Sequence, residues 1–280
     1  VTVLMSIFLG IVQGVAEFLP ISSSGHLSIL QNLLNMDYYE ESHLLFDVLL
    51  HLGTLVSICA VYRKELKEML SDGMEYLRMR GDSEADEPLV LKPTARTLLF
   101  ILIGTLPLFI ALIFSGSIAR LFFNTAFVGF ALIVTGGLLY VSDKYIKRGK
   151  KTEKTIQLAD AVVIGFAQAV ATLPGLSRSG TTIAVGLARG LSGSFAVRFS
   201  LLLSIPAVLG ATIISLYWVI RDGADFSLFL VYFAGFVVAA IVGFFAIQFL
   251  RRIMAKGGFT KIAFYCWIVG AATLLLSLIL

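Results

Sequence analysis

The sequence predicts an all-α polytopic membrane protein, with six transmembrane helices plus two re-entrant helical hairpins in an inverted-topology repeat. Three observations predict it. Of the 280 residues, 58% are apolar and only 14% charged, against about 25% charged in an average soluble domain. Several apolar runs reach the roughly 20 residues that cross a hydrocarbon core. A polar stretch at 13–26, QGVAEFLPISSSGH, returns in altered form 155 residues later. An outer-membrane barrel is excluded, because it would show alternating segments of about ten residues. Cys59 and Cys266 both lie in apolar runs, so neither a disulfide framework nor a metal cluster is expected. Residues 1–12 lack the basic region of a cleavable signal. The chain begins without Met, and a start further upstream is expected.

The whole chain, 1–280, reads as one integral membrane domain in two halves, 1–141 and 157–280. The first hairpin covers 1–36. An apolar helix over 2–19 is closed by Pro20, which lacks an N–H and clashes with the preceding turn, and a short helix follows at 26–35. An acidic, aromatic loop (Asp37, Tyr38, Tyr39, Glu40, Glu41) leads to a full span at 44–62. Residues 63–97 read as a long polar loop with seven basic side chains, Glu84, Asp86 and Glu87 standing near its exposed tip. Spans at 97–114 and 122–141 are joined by a short turn carrying Arg120. The loop 142–156 holds six basic residues, Lys147 among them. The second hairpin, 157–190, is interrupted by PGLSRSGTT at 174–182. Spans at 199–220, 227–250 and 262–280 follow. The loop 251–261 carries Arg251, Arg252, Lys256 and Lys261 with no acid.

Basic loops mark the cytoplasmic side. That rule puts 63–97, 142–156 and 251–261 inside and the loops near 36–43, 115–121 and 221–226 outside. Residues 157–198 then enter and leave on one face, as a re-entrant hairpin does. Non-helical backbone at such depth is tolerated where it is buried in protein or lines a wet cavity. By the same logic 1–36 enters from outside.

Over 10–25 against 165–180, seven of sixteen positions are identical, including Gln13/Gln168, Ser22/Ser177, Ser24/Ser179 and Gly25/Gly180. Apolar composition accounts for paired Val and Ala, but not for Gln, two serines and a glycine in register. Each half reads as one hairpin followed by three spans, and the charge rule gives the halves opposite orientation. Transporters with broken helices near the midplane share this plan.

Polar and ionisable groups inside such a segment are expensive and mark a functional site by default. Beyond Pro20 and Pro174 a Ser-x-Ser-Gly element starts a new helix. Its free N–H groups, hydroxyls and close backbone approach suit an anion such as phosphate; the plainer alternative is small-residue helix packing. Arg178, between two serines, carries a planar fork that fits phosphate bidentately, or else pairs with Glu17 or snorkels. Glu17 lies one turn after Gln13 on the same face. It could act as a base, hold Mg²⁺ or Ca²⁺ with the Gln13 amide, or be a satisfied, protonated acid. His26, three positions from Ser23, is suited to proton transfer, with a structural histidine, or His26 rather than Ser23 as the nucleophile, as the alternatives. Asp47 and His51, one turn apart near the outer end of the 44–62 span, could help shape the site, though a simple hydrogen-bonded pair is the plainer reading.

These residues resemble the undecaprenyl-diphosphate phosphatase (bacitracin-resistance) family over nearly the full length. The resemblance rests on Gln13-x-x-x-Glu17, on PISSSGH at 20–26 and on PGLSRSGTT at 174–182. Gln at the first of these positions, where the family also has Glu, weakens any two-carboxylate metal site. The resemblance implies hydrolysis of undecaprenyl diphosphate to the monophosphate, which recycles a lipid carrier for wall synthesis. It also implies bacitracin resistance, a divalent cation, and a bacterial cytoplasmic (inner) membrane location with the site open to the external face. By motif, Glu17, Ser23, His26 and Arg178 are the catalytic set. Gln13, Ser22, Ser24, Gly25, Ser177, Ser179, Gly180 and Thr181 would contact the diphosphate. The expected partners are a polyprenyl diphosphate and membrane lipids, with no nucleic acid and a homodimer left open. A flippase or transporter of polyprenyl phosphate is the alternative function.

Overall fold

The computed structural model describes residues 2–33, 41–82, 91–146, 148–221 and 228–278. The expected features at Asp37 to Glu40, at Glu84, Asp86 and Glu87, at Lys147 and in most of the loop 221–226 lie outside the described residues.

The described chain is helical. The first hairpin is α1 (Val3–Phe18) and α2 (Ser23–Leu33). α3 (Glu41–Val61) runs into α4 (Arg63–Asp82) with a bend of 78°. α5 (Pro93–Thr105) and α6 (Leu108–Ile113) make one span broken at Pro107. α7 (Ser115–Leu121) caps that span and α8 (Thr125–Ser142) returns. The second hairpin is α9 (Leu158–Val170) and α10 (Arg178–Ala188), followed by α11 (Gly193–Arg221), α12 (Phe229–Lys256) and α13 (Thr260–Leu276).

Among the described residues, four stretches are long and apolar enough to cross a membrane: Pro93–Ile113, Thr125–Ser142, Gly193–Arg221 and Phe229–Lys256. The bent α3–α4 pair adds a fifth if it is counted as one span. α13, expected as a span over 262–280, is a shorter apolar helix of 17 residues.

Two expectations need correction. The polar loop at 63–97 is helical through Asp82, because Leu66, Met69, Leu70 and Leu77 recur at helical spacing among strong helix formers. Met69 is buried and Leu66 packs on the core. α4 is tied to the start of α5 through Asp72, which accepts from the Thr94 hydroxyl and from Lys92. Those two donors hold the exposed Asp72 carboxyl below the usual carboxylate range. The turn expected at 115–121 is likewise a helix, α7.

Packing follows small residues. α1 lies along α12, and α9 lies along α5; α12 packs in turn on α3, and α5 on α11. α3 meets α11, and α8 pairs with α13. A Cβ at Gly10 would stand 2.6 Å from the Gly235 carbonyl oxygen. At Gly165 it would overlap the backbone of Gly104. Only glycine permits such approaches, and close backbone contact is how helices associate where lipid competes equally for apolar side chains.

Candidate active site

The two hairpin tips meet at the centre of the molecule. In each, a serine before the new helix accepts from the backbone three residues on: Gly25 N donates to Ser22 Oγ at 3.2 Å, and Gly180 N to Ser177 Oγ at 3.1 Å. Each capping hydroxyl also lies 3.3 Å from the next serine but one, Ser24 and Ser179. The tips touch reciprocally. A Cβ at Gly25 would lie 3.0 Å from Gly175 Cα, and one at Gly180 would lie 3.1 Å from Pro20 Cβ. Gly175 has φ +89°, which favours glycine, whereas Ser22 holds φ +70° without that freedom. Left-handed backbone at a non-glycine residue is strained and clusters at functional sites.

Ser22 ends the turn that delivers Ser23. The Ser23 hydroxyl donates to Glu17 Oε2 at 2.6 Å, and both residues are buried. Gln13 Nε2 donates to the same oxygen at 3.1 Å. The other carboxylate oxygen, Oε1, pairs with Arg178 Nη2 from the opposite hairpin. Arg178 Nη1 is buried and has no hydrogen-bond partner. Ser23, the carboxylate that accepts its hydrogen bond and Arg178 thus line one cavity of about 640 Å³. Beyond them the cavity continues as an apolar arm between α6 and α7 on one side and α11 on the other, with Phe109, Leu112, Phe122, Val208 and Ile214 in its walls.

Several expected residues take other places. Ser22, Ser24 and Ser177 line the cavity. Gly25 and Gly180 are consumed in the contact between the tips. Ser179 is buried against Ser177, and Thr181 Oγ1 is buried without a partner. His26 stands apart from this group. It lies outside the cavity wall, with Nδ1 2.8 Å from the Ser22 carbonyl, Nε2 2.8 Å from the Tyr265 hydroxyl, and its ring stacked on Tyr265. With both nitrogens engaged there, it fixes the turn before Ser23 rather than reaching the reacting atoms. The histidine in the cavity is His51, whose Nδ1 is 3.0 Å from Gln13 Nε2 and 3.8 Å from Glu17 Oε2. Its expected partner Asp47 accepts instead from Gln31 at 3.1 Å. Gln168, noticed only as the repeat mate of Gln13, also lines the cavity.

The metal-binding roles expected for Glu17 and Gln13 do not fit. Gln13 Oε1 is a buried oxygen without a partner, but both Glu17 oxygens are engaged and Arg178 neutralises the carboxylate. Among the described residues no group of three His, Cys, Asp or Glu side chains could hold a metal ion. Such a set falls short of the six or more oxygens that Mg²⁺ or Ca²⁺ takes.

The fold and site together define a helical membrane protein with a serine–carboxylate–arginine site at the meeting of two broken helices. The family model described as bacitracin resistance protein BacA matches residues 6–272, and the chain belongs to that family. It is 38% identical over 275 residues to an undecaprenyl-diphosphatase of Carboxydothermus hydrogenoformans, covering 97% of this chain and 96% of that one. It is 39% identical to an undecaprenyl-diphosphatase of Methanobrevibacter smithii, covering 96% and 95%. It is 34% identical to undecaprenyl-diphosphatase 1 of Bacillus licheniformis, covering 97% of each.

Proposed function

We propose that the chain hydrolyses undecaprenyl diphosphate to undecaprenyl phosphate and inorganic phosphate, the activity named in its relatives. The observation that carries the reading is the Ser23 hydroxyl donating to a carboxylate that Arg178 holds from the other hairpin. The diphosphate sits at the hairpin tips and the prenyl chain fills the apolar arm. Ser23 Oγ attacks the terminal phosphorus and Glu17 Oε2 takes its proton, giving a phosphoserine that water hydrolyses. Arg178 Nη1 and the backbone N–H groups at the starts of α2 and α10 stabilise charge on the transferring group. His26 as the nucleophile is disfavoured, because its ring is engaged away from the cavity.

Mg²⁺ or Ca²⁺, on this reading, would be carried by the diphosphate rather than held at a site of the protein's own. Chelator should slow turnover, while calorimetry of the protein without substrate should detect no saturable Mg²⁺ site.

The inverted repeat is part of the proposal, as are its six spans and two hairpins. Exchanging the halves turns the α1–α12 pair into α9–α5 and α12–α3 into α5–α11, and maps the Gly25–Gly175 contact onto Gly180–Pro20. The basic loops favour a cytoplasmic membrane with the site opening outward. Lipid translocation would suit broken helices equally, but gives no use to the Ser23–Glu17 bond. Purified protein given a polyprenyl diphosphate and Mg²⁺ should release phosphate; a silent enzyme that moves lipid between leaflets of vesicles would reverse the assignment.

A further inference from the structure

Gln168 has no part in the reaction as described, and its surroundings are unusual for a glutamine. It lies on α9, 1% exposed, in the wall of the cavity that Glu17, Ser23 and Arg178 share. Neither its amide oxygen nor its amide nitrogen has a hydrogen-bond partner. Buried side-chain amides are nearly always paired, because an unmade bond forfeits the water it replaced.

Its counterpart Gln13 differs, with Nε2 shared between Glu17 and His51. The difference is written in the sequence. Where the first hairpin has Glu17, the second has Thr172, whose hydroxyl donates to the Ala169 carbonyl of its own helix at 2.7 Å. Gln168, in the cavity wall, is left with both amide groups unpartnered.

Its position says which part of a ligand it would meet. α9 packs on α5 and α6, and Leu108, Phe109 and Leu112 of α6 begin the apolar arm. Arg178, at the start of α10, is instead paired with Glu17 beside the nucleophile. Resting on the reading of the site given above, we infer that Gln168 is a substrate-positioning residue whose Nε2 donates to a non-bridging oxygen of the lipid-linked phosphate, the leaving group. As the Ser23 Oγ–P bond forms, the bond from the terminal phosphorus to the bridging oxygen breaks, and its electron pair stays on that oxygen. The lipid monophosphate leaves as an anion without needing a proton, and the Ser23 proton remains on Glu17. A neutral amide holds this phosphate in line without binding the product as tightly as a second cation would.

The test compares the purified full-length protein with Gln168→Leu and Gln168→Met, after thermal unfolding shows which variant keeps the wild-type midpoint. The KM for a polyprenyl diphosphate should rise about tenfold to a hundredfold, as loss of a hydrogen bond to a charged group predicts. Inhibition by a polyprenyl monophosphate should weaken by a similar factor, and inhibition by inorganic phosphate, which binds at the Arg178 end, should not change. Unaltered KM and monophosphate inhibition would overturn the inference. So would a matching loss of inorganic phosphate inhibition, which would put Gln168 on the terminal phosphate. A wild type that releases no phosphate would instead strike at the underlying reading, and direct binding of the lipid monophosphate to both proteins would then judge Gln168 alone.

Discussion

In the proposed reaction Ser23 would owe its reactivity to its neighbours on both sides. Ser22 is held at φ +70° while its carbonyl meets His26 Nδ1, and that fixed turn carries the Ser23 hydroxyl to Glu17 Oε2. Ser23→Ala should therefore cost at least about a thousandfold in turnover, the scale for removing an activated nucleophile, with unchanged thermal stability. Rapid acid quench of the wild type should trap an acid-stable phosphoryl group on Ser23; an acid-labile adduct on His26 would refute the assignment. At this scale the sequence was readable where a residue is rare for its setting. Glu17, Ser23 and Arg178 are conspicuous because the chain around them is apolar. The histidines misled for the opposite reason. Nearness to Ser23 in sequence favoured His26, but its ring is drawn aside by Tyr265, 239 residues away, and no local pattern reports that. His51 reaches the site only because α3 packs beside α1.

Among the elements, the two hairpins were legible because proline and Ser-x-Ser-Gly punctuate them. α4 was not, since its charges suggested a solvated loop and the weaker apolar spacing of Leu66, Met69, Leu70 and Leu77 went unheeded. The close pairs of helices were hidden too, because a glycine in an apolar run does not name its partner. They can be tested directly. Gly165→Val drives a side chain into the Gly104 backbone and should part α9 from α5. Overpacking of this kind costs about 1–3 kcal/mol, so the thermal midpoint in detergent should fall by several degrees. Gly137→Val on α8, where a Cβ would meet nothing within 4 Å, is the control and should leave the midpoint in place. An equal effect at both positions would contradict the packing described.

For the whole molecule, the charge distribution favours an orientation that labelling can check. With Cys59 and Cys266 replaced, Ser117→Cys on α7 should react with a membrane-impermeant maleimide applied outside intact cells. Lys256→Cys at the end of α12 should react only after permeabilisation; both positions are exposed. The opposite pattern would invert the topology and close the site to the external face.

The contact between Glu17 and Arg178 also has a history within each molecule's lifetime, because its two ends are made at different times. They are 161 residues apart, so at roughly 5–20 residues per second the carboxylate leaves the ribosome on the order of ten to thirty seconds before its arginine. A lone carboxylate cannot rest in hydrocarbon at small cost. The first hairpin must therefore wait at the membrane surface, or stay protonated, until the second is inserted. Nascent chains arrested before residue 174 should leave the 13–26 stretch open to aqueous labelling, and chains released beyond residue 190 should bury it. The Glu17–Arg178 contact on this account waits for the second hairpin, and the enzyme cannot be active before that hairpin is inserted.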